Sequence, residues 1–136
     1  MVIDKDYHIY LTDAEGHQIV EVKMPSLPKV LYFVLLKHPE GIAIKELSDY
    51  REELMAYYRE VSYKSFKEQS IDDLVDSTKN SANEKISRIR NIFENTLEGY
   101  ECDINVFVPI GKKGEKYKIL FDRSCIRWEP TVISIF

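Results

Sequence analysis

Hydrophobic and polar positions in the first 25 residues predict a small β-hairpin. Residues 7–11 alternate loosely and are rich in β-forming side chains. Residues 13–16 form a turn cluster, and residues 19–22 resume the strand pattern. We therefore expect an N-terminal β-hairpin over residues 1–25.

A central helix is predicted after this hairpin. From Leu27 onward, apolar residues recur at i, i+3, i+4, i+7 and i+8, which is the spacing of a buried helical stripe. Pro28 suits the first turn, because the N–H that proline lacks has no helical partner there. Tyr32 and Phe33 fill other sides of the helix, and residues 38–41 end it. This helix is expected to be buried on most sides.

A second helix and a short helical turn are predicted before residue 77. One begins near Ile44 and carries an apolar stripe through Leu54 and Tyr57. A short helical turn over residues 70–75 follows a polar connection, and Ser70 has the pattern of its N-cap.

A last helix and a second hairpin complete the pattern. Ser81 and Glu84 have the spacing of a capping box, and Gly99 ends the helix. Strand-like runs over residues 102–109 and 116–121 then flank a loop bounded by glycines.

The order hairpin, helix, helix, helix, hairpin predicts one α+β domain over residues 1–136. Three helices followed by a two-stranded wing form the winged variant of the helix-turn-helix. Residues 27–99 then make the three-helix core, residues 100–123 the C-terminal β-hairpin wing, and residues 124–136 a tail or last strand.

Composition excludes several classes of protein. A hydrophobic content of 44% is too high for a disordered chain. The longest apolar run, residues 30–36, is far shorter than the ~20 residues of a membrane-spanning helix. The N-terminus shows no apolar signal segment, and two cysteines are too few for a disulfide framework. The expectation is a cytoplasmic protein that does not bind membranes.

Charge is distributed unevenly along the chain. The whole sequence has 19 basic and 23 acidic residues, a net charge of −4. Residues 79–97 hold four basic and two acidic residues, a net +2, and residues 109–118 hold four lysines and one glutamate, a net +3. The rest of the chain therefore carries −9. The lysines of residues 109–118 can neutralise phosphates, which gives affinity for nucleic acid without sequence specificity.

The last helix also has the chemistry needed to enter a DNA major groove. Asparagine pairs bidentately with adenine and arginine with guanine, and free N–H groups at a helix start hold a phosphate. Residues 109–118, with their four lysines, are called the lysine hairpin below. The candidate DNA-binding residues on this helix and in the lysine hairpin are Lys79, Asn80, Asn83, Lys85, Ser87, Arg88, Arg90, Asn91, Lys112, Lys113 and Lys116.

Three stretches resemble the OmpR/PhoB-type winged-helix DNA-binding domains. Residues 31–47, LYFVLLKHPEGIAIKEL, are similar to the first two helices of that family. Residues 81–93, SANEKISRIRNIF, resemble its recognition helix, and residues 110–119 resemble its wing. The resemblance implies that the last helix binds the major groove and that the wing binds the backbone or minor groove. Lys85, Arg88 and Arg90 are the contacts that it favours.

Two functions follow as expectations. The first is sequence-specific or architectural DNA binding by a bacterial-type transcription regulator, acting as a homodimer or in a larger assembly. The alternative is a winged helix that contacts another protein and binds no DNA. The net charge of −4, Glu84 and the tyrosine-rich second helix favour that alternative. Its contacts are expected at Tyr57, Tyr58 and the apolar residues 132–136.

No enzyme, metal or cofactor site is predicted. His8, His17 and His38 are scattered, with no second histidine at i, i+4 and no Cys-x-x-Cys partner. A capped turn explains the three aspartates between residues 72 and 76 better than a cation does, and Cys102 has no activating neighbour in the sequence.

Overall fold

The chain combines helices and short strands, which confirms the predicted α+β class. The computed structural model describes residues 1–62, 64–112 and 114–130. Its α-helices are α1 (Ser26–Lys37), α2 (Arg51–Val61), α3 (Glu68–Val75) and α4 (Ser81–Thr96). Its strands are β1 (Val2–Ile3), β2 (Ile9–Thr12), β3 (Gln18–Val22), β4 (Ile42–Ala43), β5 (Lys116–Tyr117) and β6 (Arg127–Trp128). Among the described residues, no helix is both long enough and apolar enough to cross a membrane.

Four strands form one sheet in the order β3–β2–β1–β6. Strands β2 and β3 pair as an antiparallel hairpin within residues 1–25. Strand β1 adds antiparallel to β2, and β6 pairs parallel to β1. Ile3, Ile9 and Val22 are buried and belong to the main hydrophobic core. The sheet therefore joins the two ends of the described chain.

Helix α1 lies at the centre of the core, as its sequence predicts. Every residue from Val30 to Leu36 is at most 4% exposed. The turn after the helix ends in Gly41, whose φ of 89° is a conformation that glycine adopts without steric cost. A Cβ atom on Gly41 would also lie 2.9 Å from the carbonyl oxygen of Tyr117, so strand β5 passes directly over this turn.

The second helix begins later than its apolar stripe predicts. Residues Ile44–Tyr50 form a 3₁₀ segment, and α-helical geometry starts at Arg51. The backbone of Tyr50 departs from that geometry (φ −105°, ψ 13°), and its ring packs edge-on against His38, with 4.7 Å between ring centroids. His38 Nε2 also lies 2.7 Å from Glu53 Oε2. These contacts tie the end of α1 to α2 and account for the interruption at Tyr50.

Helix α3 starts two residues before Ser70, its expected N-cap. Arg51 donates hydrogen bonds to Asp72 Oδ1 at 2.7 Å and to Glu68 Oε1 at 2.8 Å. The two carboxylates lie one helical turn apart and share one guanidinium, which favours helical geometry from Glu68 onward.

Helix α4 begins at Ser81 and ends before Gly99, as predicted, but without the predicted capping box. Its N-cap is Asn80, whose side chain makes no capping bond to any described residue. The Ser81 hydroxyl accepts a 3.4 Å hydrogen bond from Lys85 Nζ instead.

The strand predicted over residues 102–109 is wrong. This segment contains a 3₁₀ turn, Ile104–Val106, where the Asp103 side chain accepts a hydrogen bond from the Asn105 N–H. The Phe107 ring stacks on Phe93 and Phe121, with centroids 5.7 and 5.2 Å away. Tyr32 Oη donates to the Phe107 carbonyl at 2.6 Å. These tertiary contacts override a strand-like composition.

The second hairpin is shorter than its sequence predicts. Strand β5 pairs antiparallel with β4, which lies between the first two helices, and Ile110 pairs with Lys118. A Cβ atom on Gly111 would lie 2.7 Å from the Lys116 carbonyl oxygen, so this close approach of the two hairpin arms requires glycine.

Replacing either of two buried tyrosines by phenylalanine should change the free energy of unfolding in opposite directions. The hydroxyl of Tyr57 is buried without a hydrogen-bond partner among the described residues, and burial raises its pKa. We expect Tyr57→Phe to raise the free energy of unfolding by about 1 kcal/mol, since it removes an unpaired buried hydroxyl. Tyr32→Phe should lower it by about 1–2 kcal/mol, because the Phe107 carbonyl loses its donor. Urea denaturation measures both, and effects of the same sign would contradict this account.

Candidate nucleic-acid interface

The polar face of α4 forms one continuous surface. Five of the residues predicted to bind DNA line a single shallow depression on it, namely Asn80, Asn83, Ser87, Arg88 and Asn91. Glu84 lines the same depression. Ala82, Ile89 and Phe93 are buried on the opposite side of the helix. The periodicity of the sequence therefore places these predicted residues together.

Most cations of this region already have an acidic neighbour. Lys79 Nζ lies 2.6 Å from Asp73 Oδ1, and this hydrogen bond raises the pKa of Lys79. Lys85 Nζ is 3.9 Å from Glu84 Oε2, and Arg90 Nη1 is 3.8 Å from a Glu94 carboxylate oxygen. These contacts reduce the positive charge that the region offers to a ligand.

Arg88 is the exception. It is exposed, and within the described part of the chain it makes no salt bridge or hydrogen bond through its side chain. Its five N–H donors are therefore available to a ligand.

The two arginines of the Arg-Ile-Arg pattern do not act together. Residues two positions apart on an α-helix point about 160° away from each other. Arg90 turns toward the 3₁₀ turn after α4 and donates to Asn105 Oδ1 at 2.9 Å. Arg88 lies on the other flank, where it shares a second depression with Lys85 and the start of α1, residues 25–28. The structure thus separates two residues that the sequence predicted as joint contacts.

The lysine hairpin and the first half of α4 border a common cavity. Tyr117 of β5 lines the same small cavity as Ala82 and Ile86 of α4. Lys112, Lys116 and Lys118 are exposed on this hairpin, and Lys113 lies outside the described residues. Two basic segments far apart in sequence are therefore neighbours in the fold.

The predicted protein-binding tyrosines are buried, which corrects that expectation. Tyr57 is 0% exposed and Tyr58 is 5% exposed. The Tyr57 ring packs against Phe33 and Trp128, while the Tyr58 ring packs against Phe66. Neither side chain is available to a partner. Residues 132–136, the other predicted contact, lie outside the described residues.

All three histidines have acidic partners that the sequence analysis did not identify: besides the His38–Glu53 pair, His8 and His17 each meet an aspartate. His8 Nδ1 lies 3.1 Å from Asp4 Oδ2, and His17 Nδ1 lies 3.2 Å from Asp13 Oδ2. Each aspartate also accepts two backbone N–H bonds across its turn. The identical spacing, aspartate four residues before histidine, was the available signal. The ligand atoms of Asp13, Glu15 and His17 come within 4.8 Å of one another on the exposed β2–β3 turn.

Glu84, which the sequence analysis counted in favour of the protein-contact alternative, also lies on this face. It lies one helical turn before Arg88 and lines both depressions, with a side chain that is 63% exposed. Comparison with known proteins adds no further assignment to this geometry, because no family model, curated protein or solved structure matches the chain.

Proposed function

We propose that the chain is a winged-helix protein that binds double-stranded DNA, with α4 as its recognition helix and residues 110–118 as its wing. The order of elements supports this assignment: α1, β4, α2, α3, α4 and then a hairpin whose strand β5 returns to pair with β4. The similarity of residues 81–93 to OmpR/PhoB-type recognition helices supports it independently.

The cavity that Tyr117 of β5 shares with Ala82 and Ile86 of α4 is the observation that carries the proposal. Because of it, the exposed lysines of the hairpin and the polar face of α4 belong to adjacent elements. A duplex presents base edges in its groove and phosphates along both sides, so a helix and a neighbouring basic loop can engage both at once.

Each element has a separate role in this proposal. Arg88 donates to a base edge or a phosphate, and the asparagines on either side of it offer both donors and acceptors to bases. Lys112, Lys116 and Lys118 neutralise phosphates and hold the register. Sequence reading by a unit of this size is the chemistry of a transcription regulator, and two copies on adjacent half-sites lengthen the sequence that is read.

A protein-contact function is the second candidate. The pairing of Lys79, Lys85 and Arg90 with carboxylates within 4 Å favours it, because it lowers the free positive charge on α4. The burial of Tyr57 and Tyr58 removes the contacts on which that candidate first depended.

A chemical-shift map separates the two candidates. In ¹⁵N-labelled protein titrated with a mixed-sequence duplex at low salt, we expect the amide signals of residues 80–91 and 110–118 to shift together along one binding curve. Residues of β1 and β6 should stay unchanged. Absence of shifts, or shifts restricted to elements other than α4 and the hairpin, would contradict DNA binding by this surface.

A further inference from the structure

Glu84 occupies an unexpected place for an acid, at the middle of the proposed DNA-reading face. It forms, with Arg88, the ridge between the two depressions on α4. Glutamate and arginine four residues apart commonly form an ion pair on a helix surface. Among the described residues, however, the only basic nitrogen within 4.0 Å of the Glu84 carboxylate is Lys85 Nζ, at 3.9 Å. Glu84 makes no salt bridge with Arg88. Both side chains are therefore separately available.

A carboxylate on a DNA-facing surface discriminates strongly between the groups that a duplex presents to it. It repels phosphate oxygens, and it also repels the O6 and N7 acceptors of guanine and the O4 acceptor of thymine. Two bases offer an amino donor in the major groove, but adenine places the N7 acceptor beside its N6 amino group, whereas cytosine presents its N4 amino group alone. Glutamate therefore accepts best from cytosine. Arginine has the opposite preference, because its paired donors match guanine O6 and N7.

We propose that Glu84 and Arg88 together set the sequence preference of the interface: Glu84 accepts from a cytosine amino group and Arg88 donates to a guanine. This inference rests on the proposed DNA-binding function. Four residues of helix span about 6 Å, which corresponds to roughly two base-pair steps of 3.4 Å. The preferred site therefore contains two different C·G pairs about two steps apart, one read at its cytosine and the other at its guanine.

The role of Glu84 differs from that of the hairpin lysines. Lysine contacts with phosphates raise affinity for every duplex equally. Glu84 lowers affinity for most duplexes, and it favours those that place the cytosine amino group opposite it. Removing its charge should therefore strengthen general binding while weakening the preference for one sequence.

Selection from a duplex library with randomised positions tests this inference, using the full chain and the variants Glu84→Gln and Arg88→Ala. The wild-type chain should enrich two separate C·G pairs about two steps apart. Glu84→Gln should lower the preference for the cytosine about tenfold, and Arg88→Ala should lower that for the guanine by a similar factor. Glu84→Gln should also bind unselected duplex more tightly than the wild-type chain does.

Glu94→Gln is the matched control, because Glu94 is an exposed acid on the same helix and its change removes the same charge. It should leave the base preferences unaltered. Duplex binding without a cytosine preference, or a preference that survives Glu84→Gln, overturns the inference and leaves DNA binding intact. Binding to no duplex at all overturns both. Thermal melting of each variant verifies that the surface changes do not unfold the chain.

Discussion

Arg123→Ala is expected to lower the free energy of unfolding by about 3–4 kcal/mol, a large effect for one side chain. The Arg123 guanidinium donates to the carbonyls of Leu35 and Leu36 at the end of α1, at 3.1 and 2.8 Å. It also donates to the carbonyls of Ile119 and Phe121 on the segment that follows β5. One side chain thus pairs two carbonyls of the last turn of α1, where carbonyls lack an i+4 donor, and it joins the His38 N–H on the Leu35 carbonyl.

Electrostatics add to this effect. The C-terminal end of a helix carries partial negative charge, so a cation placed there is stabilising. Burial lowers the pKa of Arg123 from its ordinary value, but the group stays protonated throughout the neutral range. Arg123→Lys should recover only part of the stability, because an ammonium cannot reproduce the planar fork that reaches four carbonyls.

Urea denaturation or thermal melting measures the loss, which corresponds to roughly 10–15 °C in Tm for a domain of this size. Arg127→Ala is the control, since the Arg127 side chain is 70% exposed and pairs only with Glu129 among the described residues. Its effect should stay within about 0.5 kcal/mol. A loss of less than about 1 kcal/mol for Arg123→Ala would show that water replaces the guanidinium at little cost.

The largest expected effect on binding comes from the hairpin. Combined replacement of Lys112, Lys116 and Lys118 by alanine should weaken duplex binding roughly a hundredfold near physiological salt, since three phosphate contacts are lost. The slope of log affinity against log salt should become shallower by about 3. Fluorescence anisotropy with a labelled duplex across a salt series measures both quantities.

A variant with the same charge change elsewhere is the control. Lys5, Lys67 and Arg127 are exposed and belong to neither α4 nor the hairpin. Their combined replacement by alanine should leave the salt slope within about one unit of the wild-type value. If the two triple variants lost the same amount of duplex affinity, the net charge of the protein, rather than the hairpin, would determine affinity.

The sequence predicted best those elements whose contacts are local. The β2–β3 hairpin follows alternation and turn residues, and α1 and α4 follow an apolar period that continues over three or more turns. Residues 102–109 have strand composition, but the contacts that decide their structure come from Tyr32, Phe93 and Phe121. Those partners lie outside the segment, so no local pattern contained the information.

The candidate site shows the same limit. Helical period alone places Asn83, Ser87, Arg88 and Asn91 on one exposed face, and the structure agrees. The pairing of Lys79 with Asp73 across a loop, and of Arg90 with Asn105, depends on how neighbouring elements pack. Tyr58 is buried because Phe66, outside α2, covers it. A charge counted from sequence therefore overstates the free charge of the folded surface.

The salt dependence of wild-type duplex binding tests the central claim most directly, because the claim is that neighbouring cationic groups on α4 and the hairpin neutralise phosphates together. Arg88 and the three exposed hairpin lysines predict about four such contacts. Log affinity should therefore fall against log salt with a slope of about −4. Absence of binding even at low salt, or binding that does not change with salt, would contradict the account.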